Sequence, residues 1–193
     1  TYYNSQDFNG GAMGSFMEMK NFIVPILNHP QIDSIPEIKA ISLLIYDISA
    51  QEVADIYGAF PYVNYKANRQ DHPFVYNPLD TIYATIVNNI DTIVSCLQNY
   101  PNRPQWYQAK VDGILKQYDR VSPTTGDKIQ NWIRLANSLK LRMAMNIVKV
   151  EPVLAQKWAE QAVQSGVIET SAQQFGVSPQ IIGFSHPLIE ISN

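Results

Sequence analysis

The sequence predicts an all-α fold of degenerate, tetratricopeptide-like stacked helix pairs with long irregular loops. Three observations carry that expectation. Several segments place apolar residues at helical spacing, and prolines and glycines stand where those segments begin and end. No alternating strand pattern competes, apart from short stretches near 60 to 65 and 181 to 190.

In chain order, a weak helix is expected over 15 to 28, after a Gly10, Gly11 and Gly14 loop, with Pro25 set to kink it or end it early. The segment 36 to 57 is stronger. Pro36 suits a first helical turn, and Ile38, Ile41, Ile45, Ile48 and Ile56 form one stripe opposite Ala40, Leu43, Ala50 and Ala54. Two apolar faces predict packing from both sides. Residues 79 to 98 form a single clean stripe from Leu79 to Leu97, with Asn77 and Pro78 as cap and first turn and Pro101 and Pro104 beyond the end.

From 127 to 149, Ile129, Trp132, Ile133, Ala136, Leu139, Met143 and Ile147 share a face, while Leu141, Met145 and Val148 project the other way. Pro152 opens the next helix, and Gly166 stands at its end. The pairs 36 to 57 with 79 to 98, and 127 to 149 with 152 to 165, give the stacking pattern. The loop from Gly58 to Pro78 is too long for a regular repeat, and loops of that length usually carry function or bind a partner.

A chain of 193 residues can bury a sizeable core without disulfide or metal staples. Its net charge of −3 with 16% charged residues argues against a nucleic-acid footprint, which needs clustered Lys and Arg. Cys96 has no partner in the chain and reads as a small buried hydrophobe. No run of apolar residues is long enough for a transmembrane helix. The start at Thr1, without an initiator methionine or a leader, reads as a mature or excised piece.

Catalysis finds no support in the motifs. His29, His72 and His186 each precede a proline in separate loop-like contexts, unlike a metal cluster. Asp47, Glu52 and Asp55 lie on one helix, with Glu52 intruding on the isoleucine stripe and expected to be partly buried. A glycosidase needs two carboxylates facing each other across a cleft, which one helix does not supply. Capping, solvation or a buried hydrogen bond accounts for these acids better. Arg142, between leucine and methionine, is expected to bond loop carbonyls rather than a substrate.

Aromatic residues offer the sharper signal. Trp106 and Tyr107, in RPQWYQ, follow a helix terminator and precede an irregular stretch, so they are candidates for exposed rings that stack on the apolar CH faces of sugars. Tyr2 and Tyr3 carry the same reading; plugging the end of a helical stack is the plainer alternative. In DIYGAFPYVNY, residues 55 to 65, four rings surround a proline. Gly58 suits a positive-φ helix end and Pro61 blocks its resumption, so Tyr57, Gly58, Pro61 and Tyr62 read as a structural clasp on the chain's exit. Phe60 and Tyr65 are left to face the long loop.

These segments also carry a resemblance. DIYGAFPY (55 to 62) resembles the D-x-Y-G-x-x-P-Y signature of the SusD/RagB family of outer-membrane lipoproteins, and YNPLDTIYATIVNNID (76 to 91) is similar to its next helix. GDKIQNWIRLANSLKLRMAMNI (126 to 147) resembles the family's G-D…W…A-N-S-L-x-L-R block, and EPVLAQKWAEQAVQSGVI (151 to 168) the helix that follows. Ala59 and Asn146 depart from the pattern: the family often has an acidic or amide residue at the first and a second arginine at the other.

The resemblance implies a non-catalytic, lipid-anchored cell-surface protein. It would cap a TonB-dependent, SusC-like transporter barrel and capture oligosaccharide at the outer membrane, with the lipidated cysteine preceding Thr1. It implies no cofactor. Members run longer than this chain, so residues 1–170 are expected to form the helical region and 171–193 an irregular tail that opens a further part. The rival reading is a helical-repeat module for protein–protein interaction with no sugar role.

Overall fold

The apolar stripes fold into a series of α-helices in a computed structural model that describes residues 11–63 and 75–176. They are α1 (Ala12–Leu27), α2 (Pro36–Tyr57), α3 (Leu79–Gln98), α4 (Gln105–Tyr118), α5 (Lys128–Ile147) and α6 (Pro152–Ser165). Neighbours pack in the order α1 on α2, α2 on α3, α3 on α5 and α5 on α6. Each inner helix is therefore covered from two sides, as in tetratricopeptide-like stacks.

The starts and stops follow local chemistry. Pro36 and Pro152 each occupy the first turn of their helices, where a missing N–H costs nothing. Asp127 caps α5, its side chain accepting from the Gln130 N–H at 2.8 Å. Gly58 and Gly166 close α2 and α6 at φ 76° and 93°, a region that favours glycine.

Three boundaries differ from the sequence expectation. Helix α1 begins at Ala12, so Gly14 is helical, and it runs through Pro25 to Leu27. A proline this near the C-terminus removes one hydrogen bond, and the last turn still closes through the Asn28 N–H on the Val24 carbonyl at 3.0 Å. Asn77 does not cap α3. It forms an isolated antiparallel bridge with Phe60, and its Oδ1 accepts from the Val63 N–H at 3.0 Å.

The stretch after Tyr107, expected to be irregular, is helix α4. Only Val111 and Leu115 of α4 are buried, and Gly113 interrupts its middle, so the apolar periodicity is too thin to announce the helix.

The buried side of α2 also differs from its isoleucine stripe. Ile56 is exposed, whereas Leu44, Ala50 and Val53 are fully buried together with Glu37, Asp47 and Gln51. Glu52 is exposed, correcting the expectation that it would be the buried acid. Met145 on α5 and Val148 just past its end are exposed rather than sandwiched.

The core is continuous from Phe16 on α1 to Trp158 on α6. Within it Phe16, Tyr46, Phe60 and Tyr62 form a ring cluster, with Phe16 5.3 Å from Tyr46 and 5.5 Å from Phe60 between centroids. Phe60 therefore faces the core and not the long loop. Tyr65 lies outside the described residues.

Candidate functional site

The aromatic turn after α2 is tied to the middle of its own helix. Tyr62, fully buried, donates its hydroxyl to Asp47 Oδ1 at 2.6 Å, and the Tyr46 hydroxyl donates to the Tyr62 carbonyl at 2.8 Å. Asn89 on α3 adds an amide N–H to Asp47 Oδ2 at 2.9 Å and to the Tyr62 hydroxyl at 3.0 Å. Burial, followed by the adjoining Asp47 carboxylate, pushes the Tyr62 hydroxyl far above its ordinary pKa. Pro61 is buried beside it, while Tyr57 is 43% exposed with its hydroxyl next to Gly11. The rings of this motif thus divide: Phe60 and Tyr62 belong to the interior, and Tyr57 to its edge.

A second constellation sits where α3 hands over to α4. Glu37, in the first turn of α2, is wholly buried. Its Oε1 accepts from Arg103 Nε at 3.0 Å and its Oε2 from the Tyr107 hydroxyl. The Arg103 guanidinium lies 5.5 Å from the centroid of the Tyr107 ring. Burial and the Glu37 hydrogen bond raise the Tyr107 pKa, and the same carboxylate raises that of Arg103. Tyr107 meets Trp106 edge-on at 5.8 Å, and the Trp106 ring is 71% exposed. The two residues therefore sit in the first turn of a helix, not in a loop: one ring is held from beneath and the other is offered to solvent.

Sequence reasoning missed Glu37 and Arg103. An acid in a helix's first turn normally complements the macrodipole at the surface, so nothing local marked Glu37 as buried. Only the arrival of Arg103 and Tyr107 from residues far along the chain explains it.

The A-N-S-L-K-L-R block is a set of ties. Asn137 donates to the Gly166 carbonyl at 2.9 Å, and Ser138 Oγ accepts from the Ile168 N–H at 2.9 Å, so the chain leaving α6 is fastened to α5. Lys140, nearly buried, donates to Asp91 Oδ1 at 2.6 Å and Gln161 Oε1 at 2.9 Å, joining α5 to α3 and α6. Arg142, expected to bond loop carbonyls, is exposed, and the buried cation of this helix is Lys140. Asn146, where the family pattern has arginine, donates to Asp55 Oδ2 and the Tyr83 hydroxyl, each at 3.0 Å, linking α5 with α2 and α3.

Asp119 organises the turn between α4 and α5. It accepts from the Ser122 N–H at 2.9 Å, Ser122 Oγ at 2.5 Å and Trp132 Nε1 at 2.9 Å, with Lys128 Nζ at 3.3 Å. Burial works to raise its pKa, but the Ser122 and Trp132 hydrogen bonds and the Lys128 charge outweigh it, so the carboxyl is held below its ordinary range. Trp132 packs against Phe175 at 4.8 Å.

These carboxylates are spent on structural partners. Among the described residues no group of His, Cys, Asp and Glu has the geometry to hold a metal ion. Cys96 is half-buried, with burial raising its thiol pKa. No described helix is long and apolar enough to cross a membrane. Tyr2 and Tyr3 lie outside the described residues.

An open cleft of about 760 Å³ lies beside Arg103, bordered by Asp91, Thr92, Ser95, Cys96 and Asn99. An apolar groove of about 440 Å³ runs between Leu79 and Tyr83 of α3 and Leu154 and Trp158 of α6.

Comparison with known proteins follows the same lines. The family described as SusD-like, Susd and RagB outer membrane lipoprotein, matches residues 2–193. No curated protein matches the chain. Among solved structures, a chitin-binding SusD homolog from Flavobacterium johnsoniae is 25% identical with a TM-score of 0.63, over 89% of this chain and 32% of its own. A SusD-like protein from Bacteroides thetaiotaomicron is 25% identical with a TM-score of 0.68, over 90% and 34%. A SusD homolog from Bacteroides vulgatus, at 23% identity and a TM-score of 0.67, shares the fold over 89% and 33%. The chain thus spans about a third of the length of these structures.

Proposed function

The chain belongs to the SusD-like family of SusD and RagB outer-membrane lipoproteins, and from that membership we propose that it acts in non-catalytic glycan capture at the cell surface. On this reading the protein partners a TonB-dependent, SusC-like transporter barrel in oligosaccharide uptake and is held at the outer membrane by a lipid anchor. On the same reading the described helices, α1 to α6, supply the scaffold.

The observation that carries the reading is Trp106. Its ring is 71% exposed on the first turn of a helix and is braced by Tyr107, whose hydroxyl is fixed on a buried carboxylate. An exposed indole offers a flat apolar face to a sugar ring. The chitin-binding activity of the Flavobacterium homolog supports a glycan as the ligand class. Tyr2 and Tyr3 remain candidates for the same work.

Isothermal calorimetry of the full-length protein against a glycan panel tests this. Binding without turnover is the expected result. Hydrolysis of a bound glycan would overturn the non-catalytic claim, and absence of any glycan binding would overturn the function. Co-purification with a transporter barrel from outer membranes tests the partnership.

A protein-interaction module is the second reading, favoured by the apolar groove and the exposed Val150 and Val153 beside it. A leader and lipidated cysteine encoded upstream support the first reading, and a cytosolic start the second.

A further inference from the structure

Asp91, Thr92 and Ser95 lie exposed along one side of α3 with Asn99 just past its end, and with Cys96 and Arg103 they border the 760 Å³ cleft. We propose that this cleft, extended by the Trp106 ring, is a subsite for a neutral oligosaccharide. One sugar ring would stack on Trp106, and the next would bond through its hydroxyls to Arg103, Asn99 and Ser95. The proposal rests on the glycan-capture reading above and assigns it a place and a charge preference.

Preorganisation is the first argument. Arg103 commits its Nε to Glu37 and lays its guanidinium against Tyr107, and the residue so held borders the cleft. Such a fork presents donors to hydroxyl oxygens with little rotamer entropy left to lose. Ser95 and Asn99 add groups that both donate and accept, which suits sugar hydroxyls of the same dual character.

Charge supplies the second argument. Each ionic group at the cleft already has an opposite partner: Arg103 has Glu37 at 3.0 Å, and Asp91 has Lys140 at 2.6 Å. A uronate or sulfated glycan would find no unpaired cation among these groups and would meet the half-exposed Asp91 carboxylate. A neutral glycan meets hydrogen-bonding capacity without that repulsion. The cleft's volume lies within the range of about 300–1,000 Å³ usual for ligand sites.

The test is calorimetry of the full-length protein with neutral malto-, cello-, xylo- and chito-oligosaccharides and with an acidic oligogalacturonide. A neutral oligosaccharide should bind, and Trp106→Ala, which removes the platform, and Ser95→Trp, which fills the cleft, should each weaken it by about tenfold or more. Both positions are exposed, and an unchanged circular-dichroism melt in each variant confirms that the fold is kept. If the unaltered protein binds a neutral glycan and neither substitution moves Kd beyond about twofold, the subsite is overturned while glycan capture stands. Tighter binding of the acidic glycan overturns the charge preference. No binding by the unaltered protein overturns both proposals.

Discussion

The Tyr62 hydroxyl reaches back across the turn after α2 to donate to Asp47 Oδ1 at 2.6 Å. This bond holds the D-x-Y-G-x-x-P-Y turn against the helix it leaves. Asn89 donates to both partners, so α3 joins the same knot. Tyr62→Phe would keep the packed ring but remove a donor from a buried carboxylate, and should cost roughly 1–3 kcal/mol. Tyr62→Ala adds a cavity and should cost about 3–5 kcal/mol. Urea unfolding of the two variants checks the order; a Tyr62→Phe variant as stable as the parent would mean that the hydroxyl contributes nothing.

Alkaline titration probes the same bond. With its native pKa raised above the ordinary 10.0, Tyr62 contributes stability that is fully present below about pH 10 and is lost as pH rises beyond it. Phenolate absorbance from Tyr62 should therefore emerge only as the fold is lost. Comparison of the parent with Tyr62→Phe should show one fewer late-ionising tyrosine, coincident with the fall in helical circular dichroism.

Asp119 sets the acid side. Its native pKa is lowered, so its contribution is present above the unfolded carboxylate range, about 4, and disappears as pH falls through the native value. Asp119→Asn should destabilise the protein by roughly 1–3 kcal/mol at neutral pH, with a shallower loss of stability on acidification than the parent shows. Thermal melts from neutral to acid pH read this directly, and parallel acid limbs in the two proteins would count against it.

Two glycines should respond with opposite signs. At Gly58 an added Cβ meets no atom within 4 Å, but φ is 76°, so Gly58→Ala should cost about 1–3 kcal/mol through the backbone alone. Gly113, inside α4 and equally unobstructed, has no positive φ, and Gly113→Ala should stabilise by roughly 0.5–1 kcal/mol. Chemical denaturation of both variants would show whether conformation, rather than space, decides each case.

Trp106→Ala should leave stability within about 0.5 kcal/mol, because most of the ring lies in solvent. A large loss in the melt would instead identify the indole as a structural plug on the helix end.

The major stripes were legible because apolar periodicity and proline punctuation act locally. The segments 36–57, 79–98 and 152–165 begin and end where their prolines, glycines and apolar runs place them. Helix α4 was not legible, since two buried side chains around a glycine make too faint a pattern. At the candidate site the sequence marked Trp106 and Tyr107 as aromatic signals but misjudged their support, which comes from Glu37. That acid lies 70 residues away in the chain, and no local spacing records such a meeting.

By itself, then, the sequence determined the all-α class, the main helices and the family signature, because these follow from residues a few positions apart. The tertiary structure alone decided which polar groups go inside. Glu37, Asp47 and Lys140 are buried only because partners from elsewhere in the chain satisfy them, and unpaired they would be too costly to bury. It also decided that Phe60 and Tyr62 turn inward while Trp106 turns outward, since the packing of α1, α2 and α3 closes over the first two rings and no described helix closes over the third.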